Sequence, residues 1–315
     1  MKRPGLSALL VMGVAAIGIM IVLVASLVTS AGPELPVRLN PEEGDPLVRI
    51  AGKDITRFHM KVARRYHELR GGYKMPDYGL IREMLERAVG EEILRKYGRG
   101  LGPQEIAAER ARMERESRDR DTQRKIIHEL DQYPGMFEMF VVRPALVNNR
   151  LHDLQTHDRT IQKEAFEKAE AGLKEALREE DYFRRMKLEA PERYARVDSR
   201  VAPGPPDGPP QPAEMVEQHN KGTMEWVSKY LSRVGPNEIR PEPLDFGGAV
   251  MIVKMIERDG THVIYEQVAF PKVGFVPWLE SELKQIKGEV LDPAIREELK
   301  KGLKDSPYGR WLFPD

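Results

Sequence analysis

From Leu6 to Val28 the chain reads LSALLVMGVAAIGIMIVLVASLV, an apolar run without one charged side chain. Hydrocarbon offers no partner to backbone N–H and C=O groups, so about 20 such residues are stable there only as a helix. Lys2 and Arg3 precede the run, whereas residues 29–46 set Arg38 alone against Glu34, Glu42, Glu43 and Asp45. The positive-inside bias then leaves the N-terminus in the cytoplasm and the bulk of the chain outside it, as a single-pass protein of the cell membrane facing the periplasm or cell surface. The alternative is a cleaved signal peptide with Thr29-Ser30-Ala31 at the cleavage site, although the apolar core of such peptides usually spans about 7–15 residues. Residues 1–28 thus read as a cytoplasmic tip and transmembrane anchor, and residues 29–46, rich in Pro and Gly, as a spacer.

The remainder of the 315 residues suffices for about two domains with real cores. Fifty basic and fifty acidic side chains cancel, which leaves no electrostatic footprint for nucleic acid. The absence of cysteine excludes disulfides, thiolate chemistry and cysteine-ligated metals.

Along the folded part, Leu47–Ile50 predicts a short strand turning at Ala51-Gly52-Lys53-Asp54. Thr56 caps a helix over Arg57–Leu69 that stops at Gly71-Gly72. Ile81, Met84, Leu85, Ala88 and the Glu92/Ile93 turn follow helical spacing up to Gly98 and Gly100. Pro103 opens a charged helix to about Ser117, another runs from about Thr122 to Gln132, and Pro144 opens one with Val147, Leu151 and Leu154 on a face. Residues 159–179 predict the most regular helix, with Phe166, Ala169, Leu173 and Leu177 in one stripe. The stretch from Val201 to Pro212 is a loop, because its prolines forbid helix or central strand. Beyond it, Met224–Arg233 reads as a short helix. Ala249–Arg258 and Thr261–Phe270 read as strands of a hairpin around Asp259-Gly260. Helices over Pro277–Lys287 and Pro293–Lys304 follow, and the apolar tail Trp311-Leu312-Phe313 docks.

The order of these elements carries a resemblance. The motifs V-R-I-A-G-K-D-I-T-R-F (residues 48–58) and L-I-R-E-M-L-E-R-A-V-G-E-E-I-L-R-K-Y-G (80–98), followed by P-Q-E-I at 103–106, resemble the N-terminal chaperone segment of SurA-like and parvulin-type folding factors. Phe166–Leu177 with Asp181-Tyr182-Phe183, and Leu231 through Val253, resemble the parvulin module, so that the likeness spans about residues 47–290. It implies an α+β fold: the transmembrane helix, a mostly helical chaperone-like region over 47–158, and a small parvulin-like module over 159–276 with an antiparallel hairpin. Residues 277–315 are then C-terminal helices packing back on the helical region. Three departures bear on catalysis. Asn148–Asp158 gives no histidine-bearing strand, the proline-rich loop 203–212 replaces a glycine-rich turn, and Val250 stands where the second active-site histidine belongs. The module is degenerate on this reading, and peptidyl-prolyl isomerase activity is left open.

Within it, Trp226 falls near the family's pocket-lining aromatic, with Met224, Tyr230 and Val250 as neighbours, a surface suited to proline rings or extended segments. The competing reading makes Trp226 and Tyr230 ordinary core. Met136, Phe137, Met139 and Phe140 form a soft cluster that suits promiscuous binding if exposed and core filling if not. His262 opens the second hairpin strand and is the one candidate for a relocated catalytic imidazole. His152 and His157 lack metal-ligand company, so no metal is expected. Gly98, Gly100 and Gly102 follow no strand and make no phosphate loop, so neither nucleotide nor another cofactor is implied. Three roles follow as expectations: a tethered folding factor for unfolded exported chains, an active isomerase, or a non-catalytic envelope adaptor.

Overall fold

The computed structural model describes residues 44–71, 74–117, 120–201 and 211–314. The apolar run at 6–28 lies outside them. Among the described residues no helix is long and apolar enough to cross a membrane. The fold is α+β with two small antiparallel sheets, and the chain divides into two compact units. One comprises the chain through Val147 and again from Lys287; the other comprises Asn148–Ile286. The sequence pattern places these edges instead at 158/159 and 276/277.

The first unit opens with β1 (Pro46–Ile50) and β2 (Lys53–Thr56), which pair across a tight turn at Ala51 and Gly52, both with positive φ. A helix α1 (Arg57–Gly71) leads to α2 (Asp77–Lys96), whose Leu80, Ile81, Leu85, Val89, Ile93 and Leu94 are fully buried. That apolar stripe is wide enough to be covered from several sides, which makes α2 the centre of the unit. Next come α3 (Pro103–Glu116) and α4 (Asp121–Leu130). The chain then makes a π turn over Glu138–Val142, with the Arg143 amide donating to the Glu138 carbonyl, directly before α5 (Arg143–His157). Pro144 explains the widening: it has no N–H to give, and its ring would press on a carbonyl four residues back. Pro144 therefore does not open a fresh helix, because the coil is already running when it arrives.

The second unit takes over within α5. Its helices α6 (Lys163–Ala176) and α7 (Tyr182–Glu189) precede β3 (Tyr194–Asp198), α8 (Ala213–Tyr230), β4 (Leu244–Phe246), β5 (Ala249–Arg258), β6 (Val263–Pro271) and α9 (Phe275–Leu283). Strand order is β3-β6-β5-β4, antiparallel throughout. The continuous apolar run of β5 fits burial on both faces. Val250 and Ile252 join Phe166, Ala169, Leu173, Tyr182 and Phe183 of α6 and α7 on one side. Met251, Val253 and Met255 join Val227 and Leu231 on the α8 side.

The chain then returns to the first unit with β7 (Gly288–Val290), which pairs with β1, and with α10 (Pro293–Leu303) and α11 (Pro307–Leu312). Asp292 caps α10 by accepting from the Ala294 and Ile295 amides, and α10 packs along α2. The tail is half-buried, with the Trp311 indole over Gly288.

Several expected boundaries shift. The helix of 159–179 shortens to α6, and Leu177, expected in its buried stripe, is 59% exposed because Ala176 takes the inward place. The helix expected at Met224 begins at Ala213. The one expected over Pro277–Lys287 starts at Phe275, ends at Leu283, and belongs to the second unit.

Candidate functional site

Trp226 and Tyr230 sit one turn apart on α8, which the i, i+4 geometry brings to a common face. Phe246, at the end of β4, and Tyr265, on β6, meet them there. The Trp226 ring stacks on Tyr265 at 5.2 Å between centroids and 22° between planes. Phe246 meets Trp226 edge-on at 5.6 Å and Tyr230 at 5.5 Å. Tyr265 is 7% exposed and forms the floor, Trp226 and Tyr230 are half-buried, and Phe246 is 41% exposed at the open side. Burial pushes the Tyr265 phenol up to about 12, so it stays neutral at any physiological pH. The Lys229 ammonium lies 5.0 Å from the Tyr230 ring centre, on the outer side of α8.

One polar atom in this cluster is unsatisfied. The Trp226 Nε1–H is buried and meets no acceptor. An indole N–H normally finds a partner when buried. The accessible part of the cluster is therefore its ring surface, at Phe246 and the exposed sides of Trp226 and Tyr230, which is suited to an apolar or proline ring.

The other residues singled out in the sequence fall elsewhere. Met224 is half-buried against the same α8-side core. Val250 is fully buried on the opposite face of the sheet, beneath α6, so the alternation of β5 separates it from Trp226. Asn148–His157, the stretch without the histidine strand, is helical. Met136, Phe137 and Phe140 lie in the first unit, away from this cluster, at 6%, 2% and 9% exposure. Phe246 and Tyr265, which complete the cluster, carry no local motif that would mark them.

His262 lies at the tip of the β5–β6 hairpin. Asp259 Oδ1 accepts from the Thr261 amide (2.6 Å), the Thr261 hydroxyl (2.8 Å) and the His262 amide (2.8 Å), which holds its carboxyl down at about 2. The imidazole is bracketed, with Nε2 at 2.9 Å from Glu257 and Nδ1 at 2.7 Å from Asp259. These three side chains bring ligand-type atoms within 4.8 Å of one another. The carboxylates flank opposite ring nitrogens, however. An ion on either nitrogen would keep one carboxylate beside it and displace the other to an outer role, fewer protein ligands than the usual three or four for zinc.

No family model matches this sequence, and no curated protein matches it.

Proposed function

We propose that this protein is a membrane-tethered, extracytoplasmic folding factor that holds apolar or proline-containing segments of unfolded exported chains without isomerising them. The observation that carries the reading is the half-open aromatic cluster of Trp226, Tyr230, Phe246 and Tyr265, with Phe246 exposed at its edge. Aromatic faces hold proline rings and extended chains by stacking. Rotation about the prolyl bond has a barrier near 20 kcal/mol, and lowering it calls for polar groups around the ring. The described residues of the cluster include no imidazole, which favours holding over turning. The uncharged run at 6–28 supports the tether, which would concentrate the binding face where exported chains emerge.

The test is suppression of aggregation of a chemically unfolded exported protein by the full-length protein in detergent. Suppression that weakens several-fold in the Trp226→Ala/Phe246→Ala variant agrees with the proposal, and no effect on any client removes it. The refolding rate of a proline-limited substrate is expected to stay at its uncatalysed value. Acceleration lost on Trp226→Ala would assign the active isomerase instead.

A further inference from the structure

The first unit carries an open groove of about 290 Å³ among α1, α3, α4 and the π turn. Its apolar lining comes from Tyr66, Met113, Ile126, Ile127, Phe137 and Val141. Its rim is cationic. Arg112 is neutralised by Glu109 (2.5 Å) and Glu116 (2.6 Å). Arg70 and Arg120, both exposed, have no carboxylate partner among the described residues. Arg70 reaches only the Tyr66 hydroxyl, at 3.2 Å, and lies 5.4 Å over that ring. Two guanidinium groups without a carboxylate partner among the described residues, at the mouth of one apolar groove, are a charge pattern that an anionic group would complement.

We propose that this groove binds polypeptide segments in which a large apolar side chain stands beside a carboxylate, whether of Asp, of Glu or of a polypeptide's own terminus. This second site is independent of the aromatic cluster on α8. The space admits one or two large side chains and no folded domain. A guanidinium fork pairs a carboxylate in two parallel hydrogen bonds, so an acidic neighbour to the inserted side chain gains a partner and a basic one meets like charge. The Gln123 amide on the wall offers a donor and an acceptor for peptide backbone, which an acyl tail would leave unused.

The experiment is fluorescence anisotropy of the full-length protein in detergent with two labelled peptides that share a Leu-Phe centre, one flanked by Glu and one by Lys. At low salt the acidic peptide is expected to bind at least tenfold tighter, and added salt narrows the gap. In the Arg70→Glu/Arg120→Glu variant the preference reverses. Both positions are exposed, so the fold is not at stake, and unchanged far-ultraviolet dichroism checks this. Equal affinity for the two peptides overturns the proposal, as does a preference that survives the double variant. Displacement by decanoate at lower concentration than by unlabelled peptide also overturns it and assigns the groove to fatty acids. Because the readout is peptide affinity, it stands apart from aggregation suppression: either can fail while the other holds.

Discussion

His59 is the third residue of α1, and it closes a capping box with Thr56. The Thr56 amide donates to its Nδ1 at 3.1 Å, while the His59 amide donates to the Thr56 hydroxyl oxygen at 3.4 Å. With Nδ1 accepting, the ring proton sits on Nε2. Burial, helped by the nearby Arg87 charge, pushes the imidazole down from 6.5 to about 4. Above pH 6.5 the ring is neutral folded or unfolded and contributes no pH dependence. Between 6.5 and about 4 the unfolded state takes a proton that the folded state refuses, so stability falls as the pH falls. Below about 4 both states are protonated and the loss stops growing, having reached about 3 kcal/mol. His59→Gln keeps the cap, since Gln serves the same position. Urea unfolding at pH 7.5 and 4.5 should therefore show the variant losing about 2–3 kcal/mol less than the parent on acidification. Equal losses in both proteins would mean that His59 is not the group refusing the proton. Lys272 makes a different kind of commitment in the second unit. Its side chain is 2% exposed, with the ammonium on the Asp245 carboxylate and on the Gly247 carbonyl at 3.0 Å. Lys272→Met leaves Asp245 without that partner. Because Asp245 retains some water and an interaction with His157 at 3.1 Å, the expected cost is about 2 kcal/mol rather than the larger value for a fully buried pair.

Where α6 lies on the sheet, a single missing methyl group sets the distance. A Cβ on Gly172 would stand 2.7 Å from the Tyr182 hydroxyl, 3.0 Å from Ile252 and 3.1 Å from Phe270. Gly222, on α8, has nothing within 4 Å of the same position. Alanine gains up to about 1 kcal/mol over glycine inside a helix, but overpacking costs about 1–3 kcal/mol. Thermal unfolding should then separate the two: Gly222→Ala raises the midpoint by a few degrees, and Gly172→Ala lowers it. A raised midpoint in both would show that α6 has room to back away. The same contrast between local and distant causes explains what is legible in the sequence. α2 and β5 announce themselves, one through its wide helical stripe and the other through its β-branched run ending at Asp259-Gly260. β3 and β7 do not, because each is at most five residues long and is stabilised by a partner far along the sequence: Arg196 opposite Glu266, Val290 opposite Val48. α8 begins at Ala213, eleven residues before the expected Met224, directly after the proline-rich stretch. At the site, Trp226 and Tyr230 are visible as an i, i+4 pair. Phe246 and Tyr265 join them only through sheet register, and which of Val250 and Met251 faces α8 depends on which helix covers which face, a choice no local pattern contains.

The two units differ in how they use the polypeptide. The second is continuous in sequence, Asn148–Ile286, whereas the first is completed by residues from Lys287 onward. That completion is structural. β1 is the central strand of its sheet, with Leu47, Val48 and Ile50 at 1%, 0% and 0% exposure, and β7 supplies one of its two neighbours. The Leu47 carbonyl accepts from the Leu291 amide at 2.9 Å, the Ala51 amide donates to the Lys287 carbonyl at 2.9 Å, and Arg57 pairs with Asp292. Ile295, Leu299 and Leu303 of α10 are buried at 7%, 0% and 1% along α2. Removing residues 287–315 thus opens a sheet edge and uncovers the most apolar helix of the unit at once. A fragment of residues 148–286 is expected to unfold cooperatively, with dispersed amide resonances. A fragment of residues 44–147 is expected to lack a cooperative transition and to gain one when a peptide of residues 287–315 is added. A sharp melt of 44–147 alone, unchanged by the peptide, would contradict this. The arrangement also orders folding in time, since contacts that join distant parts of a polypeptide form late. The second unit contains all of its own strands and helices in one continuous stretch, while the first must hold α2 and β1 unsatisfied until its last strand and helix arrive.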